Sequence, residues 1–222
     1  MDISVLIAMG LFVLSHIVVA GSHIKPVLVR LIGQTGYLAL YSLMSIGLMA
    51  WVIIALINAD RLSVWTSPEW AHGFAAVFSL IAFVLIGSGG ASPNPFSVSF
   101  RKGPYVLERP GVIGWVRHPV IWGLSLWGIA HIPANGDWPS LLLFGGSALF
   151  GVIGVFALEA RAKAKFGPGW QQAIAARGHV DFNSMIGGVA GFTLWLGFLA
   201  GHPFLFDVDP LAVLLSQFQA TG

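Results

Sequence analysis

The sequence predicts an all-α membrane protein, a polytopic bundle of about six transmembrane helices with both termini on the non-cytoplasmic side. Of its 222 residues, 56% are hydrophobic and only 9% are charged. The mean hydropathy is +0.83. Soluble globular domains carry about a quarter charged residues, so the composition argues against that class. There is no cysteine, which excludes disulfides and thiolate ligands.

Six apolar runs are expected to cross the membrane as one integral membrane domain, since a spanning helix needs about 20 apolar residues. The first run follows Met1-Asp2 without the basic start of a signal peptide, so we expect it to be a retained span. Polar or glycine-rich stretches separate the runs. The predicted spans are residues 3–21, 37–57, 71–87, 119–132, 141–158 and 185–201.

The connections carry further expectations. A polar elbow with Lys25 and Arg30 should join the first two spans, and the connection at 88–116 is long enough to be functional. The fifth helix should continue past the membrane until Phe166-Gly167-Pro168-Gly169 breaks it. A short surface helix is expected at 171–179, and a tail from residue 202.

Basic residues are distributed unequally between the two sides of the predicted bundle. The loops after spans one, three and five hold ten of the eleven Lys and Arg residues, whereas Arg61 alone lies on the other side. Because basic loops stay in the cytoplasm, both termini should face outward and Arg117-His118 should lie at the cytoplasmic face. Membrane lipid is the expected surrounding partner. Nothing indicates nucleic-acid binding or an oligomeric state.

The run from Arg117 to His131 is unusually rich in polar residues and glycine for a predicted span. Pro119 fits the first turn of a helix, with His118 at or near its N-cap. His131 lies thirteen residues after His118, about 20 Å along the axis. Trp127 and Gly128 should share the face of His131, where glycine would leave room for a flat ligand beside the ring.

His16 lies about five residues inside the first predicted span, where an ionisable side chain is costly and marks function by default. The alternative is a neutral histidine bonded to a neighbouring helix. His131 invites the same two interpretations. Three of the remaining histidines lie near span ends or in loops and fit plain interfacial residues: His23, His179 and His202. His72, at the start of span three, fits the same interpretation, but its role stays open.

Two deep histidines limit the chemistry. A zinc site would need three or four ligands, and the predicted spans contain no Asp or Glu. Two axial histidines suffice for haem, because the porphyrin supplies the other four nitrogens. Haem therefore suits His16 and His131 better than a bare ion does. A proton relay and plain packing remain the alternatives.

Several stretches carry a resemblance to a known family. They are His16 followed by Lys25 and Gly33, Tyr37 at the start of span two, Ser92-Pro93-Asn94-Pro95, and Arg117-His118-Pro119 through His131 to Asn135-Gly136-Asp137. In these stretches, which cover most of the chain, the sequence resembles the NnrU family of bacterial membrane proteins. The family name links it to nitrogen-oxide metabolism in denitrification.

That family is similar to the plant 15-cis-zeta-carotene isomerase, a membrane enzyme with haem b. The resemblance implies haem b with His16 and His131 as axial ligands, in the bacterial inner membrane. It leaves open a redox, gas-linked or isomerase-like role, with a small hydrophobic substrate or a gas as ligand. The isomerase carries a cysteine proposed for ligand exchange where this chain has Gly128, which bears on the isomerisation and not on haem binding.

Two other classes of function compete with a haem protein. Arg117-His118-Pro119 before a glycine-bearing helix also resembles membrane methyltransferases that use S-adenosylmethionine, such as isoprenylcysteine methyltransferase. Those enzymes usually carry a Glu-Glu or Arg-Glu pair in a C-terminal segment, of which Glu159-Ala160-Arg161 is a weak echo. The third class is a structural partner in a larger complex.

Arg117 and His118 are expected to serve the edge of the cofactor or a substrate entrance, and not to bind the iron. The rise of the helix places His118 about 20 Å from His131, too far for both to ligate one iron. Arg117 could bind a haem propionate or a lipid phosphate as a bidentate fork. The alternative is a basic anchor at the cytoplasmic face.

Overall fold

The computed structural model describes residues 3–21, 24–175, 177–206 and 208–220. Within these ranges the chain is helical without β-strands, which confirms the all-α class. The helices are α1 (Ile3–Gly21), α2 (Ile24–Ile57), α3 (Trp70–Ala91), α4 (Pro119–His131), α5 (Trp138–Phe166), α6 (Trp170–Ile174), α7 (Phe182–Phe206) and α8 (Pro210–Ala220). Short 3-10 turns occupy Gly111–Gly114 and Gly167–Gly169.

Four helical segments in the described ranges are long and apolar enough to cross a membrane: Ile24–Ile57, Trp70–Ala91, Trp138–Ile174 and Phe182–Phe206. The chain is therefore a multi-pass membrane protein by length and composition. Helices α1 and α4 are the predicted spans outside this set. Because the 13 residues of α4 extend only about 20 Å, the total of six spans stays a prediction.

The connection between the first two helices differs from the predicted polar elbow. Lys25 and Arg30 lie on the first turns of α2, and the chain bends later, at Gly33. There the backbone has φ 74° and ψ 166°, a conformation that glycine adopts without a side-chain penalty. The elbow thus contains a helical stretch with Lys25 and Arg30, and at Gly33 this stretch meets a second one that runs on to Ile57.

The C-terminal third confirms one expectation and corrects two. Helix α5 continues to Phe166 and is broken at Gly167–Gly169, as predicted. The surface helix ends already at Ile174, because the following segment pairs with the loop before α4: the His179 N–H donates to the carbonyl of Gly111 at 3.2 Å. His202 lies inside α7 and not in a tail, and α8 follows it, capped by Asp209.

The chain divides into two compact units. The first comprises Met1–Val64 and Asp137–Ser140. In it α1 packs against α2, and Tyr37 is buried. Arg61 pairs with Asp137 at 3.3 Å, so the loop after α2 meets the turn before α5. His23 lies outside the described residues.

The second unit comprises Trp65–Gly136 and Leu141–Gly222, and its centre is the packing of α3 against α7 and α4. Where α3 crosses α7, Gly87 and Gly187 face each other so closely that a methyl group on either would overlap the other's carbonyl oxygen. Gly191, one turn along α7, meets the carbonyl of Phe83 in the same way. Small residues let helix backbones touch, which is how helices associate in lipid.

Glycine also sets the place of α4. A methyl group on Gly123 would lie 2.7 Å from the carbonyl oxygen of Ala82 in α3, so the two backbones are in direct contact. On the other side of α4, the buried Ser125 hydroxyl donates to the carbonyl of Ala148 in α5 at 3.4 Å. Helix α4 therefore lies between α3 and α5.

Because α3 and α7 cross so closely, replacing glycine by alanine should affect the free energy of unfolding differently at two positions of α7. Gly187→Ala should lower the free energy of unfolding by about 1–3 kcal/mol, because the added methyl forces the backbones apart. Gly197→Ala, which has no atom within 4 Å of the new methyl, should be neutral or stabilising by up to about 1 kcal/mol. Melting in detergent measures both; equal melting temperatures would contradict the tight crossing.

Candidate functional site

The loop before α4 presents Arg117 and His118. Pro119 occupies the first helical turn, as predicted, and His118 is the N-cap with φ −123° and ψ 54°. A residue before proline is driven out of the helical region, so the chain turns sharply at His118. His118 is only 2% exposed. The turn therefore carries an imidazole into the interior of the second unit.

Asn94 of the Ser92-Pro93-Asn94-Pro95 motif holds this turn in place. Its Nδ2 donates to the Arg117 carbonyl at 2.8 Å. Its Oδ1 accepts from the backbone N–H groups of Phe96 at 2.9 Å and Ser97 at 3.2 Å. The amide group of Asn94 thus links the loop after α3 to the start of α4. Asparagine side chains readily form such hydrogen bonds to backbone groups.

Glu159 on α5 is the partner of both predicted site residues. Arg117 donates from Nε to Oε2 at 3.0 Å and from Nη2 to Oε1 at 2.6 Å, a bidentate fork. His118 Nε2 donates to Oε2 at 2.8 Å. Charge-assisted bonds of this kind are the strong ones among protein hydrogen bonds. The Arg117 and Glu159 side chains are 41% and 29% exposed, so the pair lies at the edge of the unit.

The other ring nitrogen of His118 is left without a protein partner. Because a carboxylate only accepts, the neutral ring carries its proton on Nε2 and its lone pair on Nδ1. Nδ1 is buried and has no hydrogen-bond partner among the residues that the structure describes. A buried acceptor in this state costs free energy unless something donates to it.

An aromatic cluster also contacts the arginine. The Arg117 guanidinium lies 5.9 Å from the ring centre of Trp170, which packs edge-on against Phe96 at 6.0 Å. Tyr105 meets Phe96 at 5.3 Å. Burial raises the pKa of Tyr105 above 10.0, and the charge of Arg117 opposes this rise, so the phenol is neutral. The buried residues of this cluster are Phe96, Val112, Ile113, Ala162, Trp170 and Ala173.

An open groove of about 560 Å³ lies beside the three polar side chains. Its volume is in the range of small-molecule sites. Arg117, His118 and Glu159 are the ionisable groups on its wall. The remaining lining is apolar or aromatic and comes from α3, from the turn before α4, and from α4 and α5: Leu85, Trp115, Val116, Trp122, Leu126, Val155 and Phe156.

His131 lies at the far end of α4 in an aromatic setting. Its Nδ1 donates to the Trp127 carbonyl at 2.8 Å, and its ring stacks on Phe144 at 4.7 Å with an interplanar angle of 18°. Trp127 meets Phe144 edge-on at 5.1 Å. The room expected beside Gly128 is filled: a methyl there would lie 2.5 Å from the Phe144 carbonyl oxygen, so Gly128 admits the backbone of α5.

His16 lies in the first unit and has a similar local arrangement. Its Nδ1 donates to the Phe12 carbonyl at 2.7 Å, and its ring is 4.4 Å from that of Phe12 and 5.4 Å from that of Tyr41. The structure thus joins Arg117 to His118, and His131 to Trp127. His16 and His131 belong to different units.

Glu159 is the residue that sequence reasoning undervalued. It is the one acidic residue between Asp137 and Asp181, and it directly follows an apolar run. This isolated position was the feature of the sequence that could have indicated a site residue. Among the residues that the structure describes, no group of three or more His, Asp or Glu is placed to hold a metal ion.

Comparison with known proteins identifies a family. A family model described as "NnrU protein" matches residues 4–210 of the chain. The chain belongs to the NnrU family. Searches of curated proteins and of solved structures found no match. The NnrU match covers most of both units and includes every residue of the site described above.

Because Arg117 and His118 share the Glu159 carboxylate, removing its charge should lower the stability of the protein. Glu159→Gln keeps the shape but leaves Arg117 without its counter-ion, so the free energy of unfolding should fall by about 1–2 kcal/mol, allowing for partial exposure. The control Glu108→Gln, on an exposed loop residue, should change it by less than about 0.5 kcal/mol. Denaturation in detergent compares them; equal costs would contradict the role of Glu159.

Proposed function

We propose that this NnrU-family protein binds haem b in the bacterial inner membrane, with His16 and His131 as axial ligands. The observation that carries the proposal is the hydrogen bond that each imidazole donates from Nδ1 to the carbonyl four residues earlier. In a neutral ring this bond leaves the lone pair on Nε2, the form that ligates iron. The donor set therefore fits haem.

The surroundings of the two rings support the same proposal. Phe12 and Tyr41 lie against His16, and Trp127 and Phe144 lie against His131. Aromatic side chains suit the faces of a porphyrin and keep water away from its iron. His202 makes the same bond to the Phe198 carbonyl at 2.9 Å, so the bond alone does not select the ligands. Depth within the predicted spans favours the chosen pair.

When bound, haem would supply electron transfer or gas binding, and the protein would hold and orient it. The NnrU link to nitrogen-oxide metabolism favours a redox or gas-linked role. The isomerase-like role has less support, because Gly128 brings no sulfur and packs against α5. The basic loops place the start of α4 on the cytoplasmic side in this proposal, with both termini outside.

Glu159 adds a partner to the role expected for Arg117. It binds Nε and Nη2, so a haem propionate or a lipid phosphate would bind through the remaining N–H groups of Nη1 and Nη2. The basic anchor at the cytoplasmic face stays the alternative, since the Arg117 side chain is 41% exposed. The ion pair also links the start of α4 to α5.

One observation keeps the S-adenosylmethionine-dependent methyltransferase as a second candidate. Such an enzyme needs an acidic group beside its cofactor, and Glu159 stands with Arg117 and His118 at the wall of a groove. Calorimetry with S-adenosylmethionine tests this candidate. Binding that Glu159→Gln abolishes would support it, and no heat of binding would remove it.

The haem proposal is tested by the spectrum of the protein purified from haem-replete cells. It predicts a Soret band and a haem b signature in the pyridine haemochrome assay. His16→Ala and His131→Ala should each lower haem affinity at least about tenfold, because each removes an axial ligand. His179→Ala is the matched control and should keep the parent spectrum.

Two results would contradict the assignment. A folded but colourless protein would remove haem altogether. Loss of haem in His131→Ala and His202→Ala, with none in His16→Ala, would place both ligands in the second unit and make His16 a packing residue.

A further inference from the structure

We propose that the loop around Phe100 is a binding site for anionic phospholipid, with the Phe100 ring among the lipid chains and Arg101 and Lys102 at the phosphates. These three residues lie in the long connection between α3 and α4. The site goes beyond the proposed haem function and does not depend on it, because it uses none of the residues assigned to haem.

The last turn of α3 fixes the position of Phe100. The Phe100 backbone N–H donates to the Gly90 carbonyl at 3.0 Å. Gly90 leaves room for the ring, because a methyl group there would lie 2.6 Å from Phe100 Cδ2. Helix α3 is long and apolar enough to cross a membrane, and Gly90 lies about 30 Å along its axis from Trp70. Phe100 therefore lies at one end of a spanning helix, at the level of a membrane surface.

The loop is already built in a form that presents the ring. The Ser99 hydroxyl donates to the carbonyl of Ser92 at 2.7 Å and accepts from the N–H of Arg101 at 3.1 Å. Phe100 is nevertheless 78% exposed. An exposed ring is unfavourable in water, whereas apolar side chains are buried at the boundary between lipid head groups and chains. The exposure of Phe100 therefore indicates a lipid contact.

The two residues after Phe100 supply positive charge. Arg101 and Lys102 are exposed, and no ion pair of either is found among the residues that the structure describes. Lys165 of α5 adds a third cation at this loop, since its Nζ donates to the Pro95 carbonyl at 3.4 Å. An apolar ring is thus followed directly by two cations that are free to bind an anion.

The acidic residues at this end do not cancel that charge. The connection at 88–116 holds three basic residues against one acidic residue, Glu108. From other elements, Glu159 is paired with Arg117, and Asp181 caps the start of α7. Phospholipid phosphates carry the complementary charge. Each Lys or Arg near an anionic membrane surface strengthens binding about fivefold.

The test uses the absence of cysteine from the chain. The full-length Phe100→Cys protein is labelled with bimane, an apolar fluorophore, and reconstituted in vesicles of four parts phosphatidylcholine and one part phosphatidylglycerol. The chains of either the phosphatidylglycerol or an equal amount of the phosphatidylcholine carry bromine, which quenches the fluorophore on contact. Quenching should show that phosphatidylglycerol is enriched at the label about fivefold or more over its share of the vesicle.

The matched control is the same label on Phe204→Cys. Phe204 is 90% exposed and lies about 30 Å along α7 from Ser184, whose hydroxyl is hydrogen-bonded to that of Ser92. It therefore lies at the opposite end of the spans. The last basic residue in the sequence is Arg177. At this position the two lipids should quench within about twofold of their shares of the vesicle.

Removing the two cations links the enrichment to this loop. Arg101→Gln together with Lys102→Gln, in the labelled Phe100→Cys protein, should lower the enrichment to within about twofold of the Phe204 control. About 0.5 M salt should lower it in the same way without any further substitution, because salt screens exposed charges. If the double variant does not fold, the salt dependence decides alone.

Each contrary result overturns the proposal. Absence of quenching by either lipid at position 100 would place the loop in water. Quenching in proportion to the vesicle composition would show that the site has no preference for an anionic head group. An enrichment that persists in the folded double variant, or in high salt, would show that Arg101 and Lys102 do not hold the lipid.

Discussion

The carboxylate of Glu159 is the group on which the polar end of the second unit depends. A partly buried arginine is costly without a counter-ion, and a buried imidazole is costly without hydrogen bonds. Glu159 meets both needs at once, with bonds of 2.6 to 3.0 Å. Because it lies on α5, these bonds also hold the start of α4 against α5. The groove and the tautomer of His118 follow from that placement.

Close contact between helix backbones is the second constraint. Apolar side chains facing lipid gain little from burial against each other, so helices in a membrane associate through small residues and hydrogen bonds. Gly87 with Gly187 and Gly123 with Ala82 provide such contacts for α3. Gly128 does the same for α4 and α5. Gly128 thus serves packing where it was expected to leave room for a ligand.

Features that depend on neighbouring residues were predictable. Apolar run length gives the all-α membrane class, Pro119 gives the start of α4, and Phe166-Gly167-Pro168-Gly169 gives the end of α5. Features that depend on distant residues were not. Glu159 is 42 residues from Arg117, and no feature of the neighbouring sequence indicates that the two residues pair. A glycine that leaves room and a glycine that admits a backbone look alike in sequence, as Gly128 shows.

A double-mutant cycle on Arg117 and Glu159 tests most directly whether this pair organises the site. Arg117→Met, Glu159→Leu and the double variant would be unfolded in detergent with the parent protein. The pairing predicts that each single variant loses more than half of what the double variant loses, with a coupling energy of about 1 kcal/mol or more. Costs that add within about 0.3 kcal/mol would show that the two residues act independently and would contradict the account.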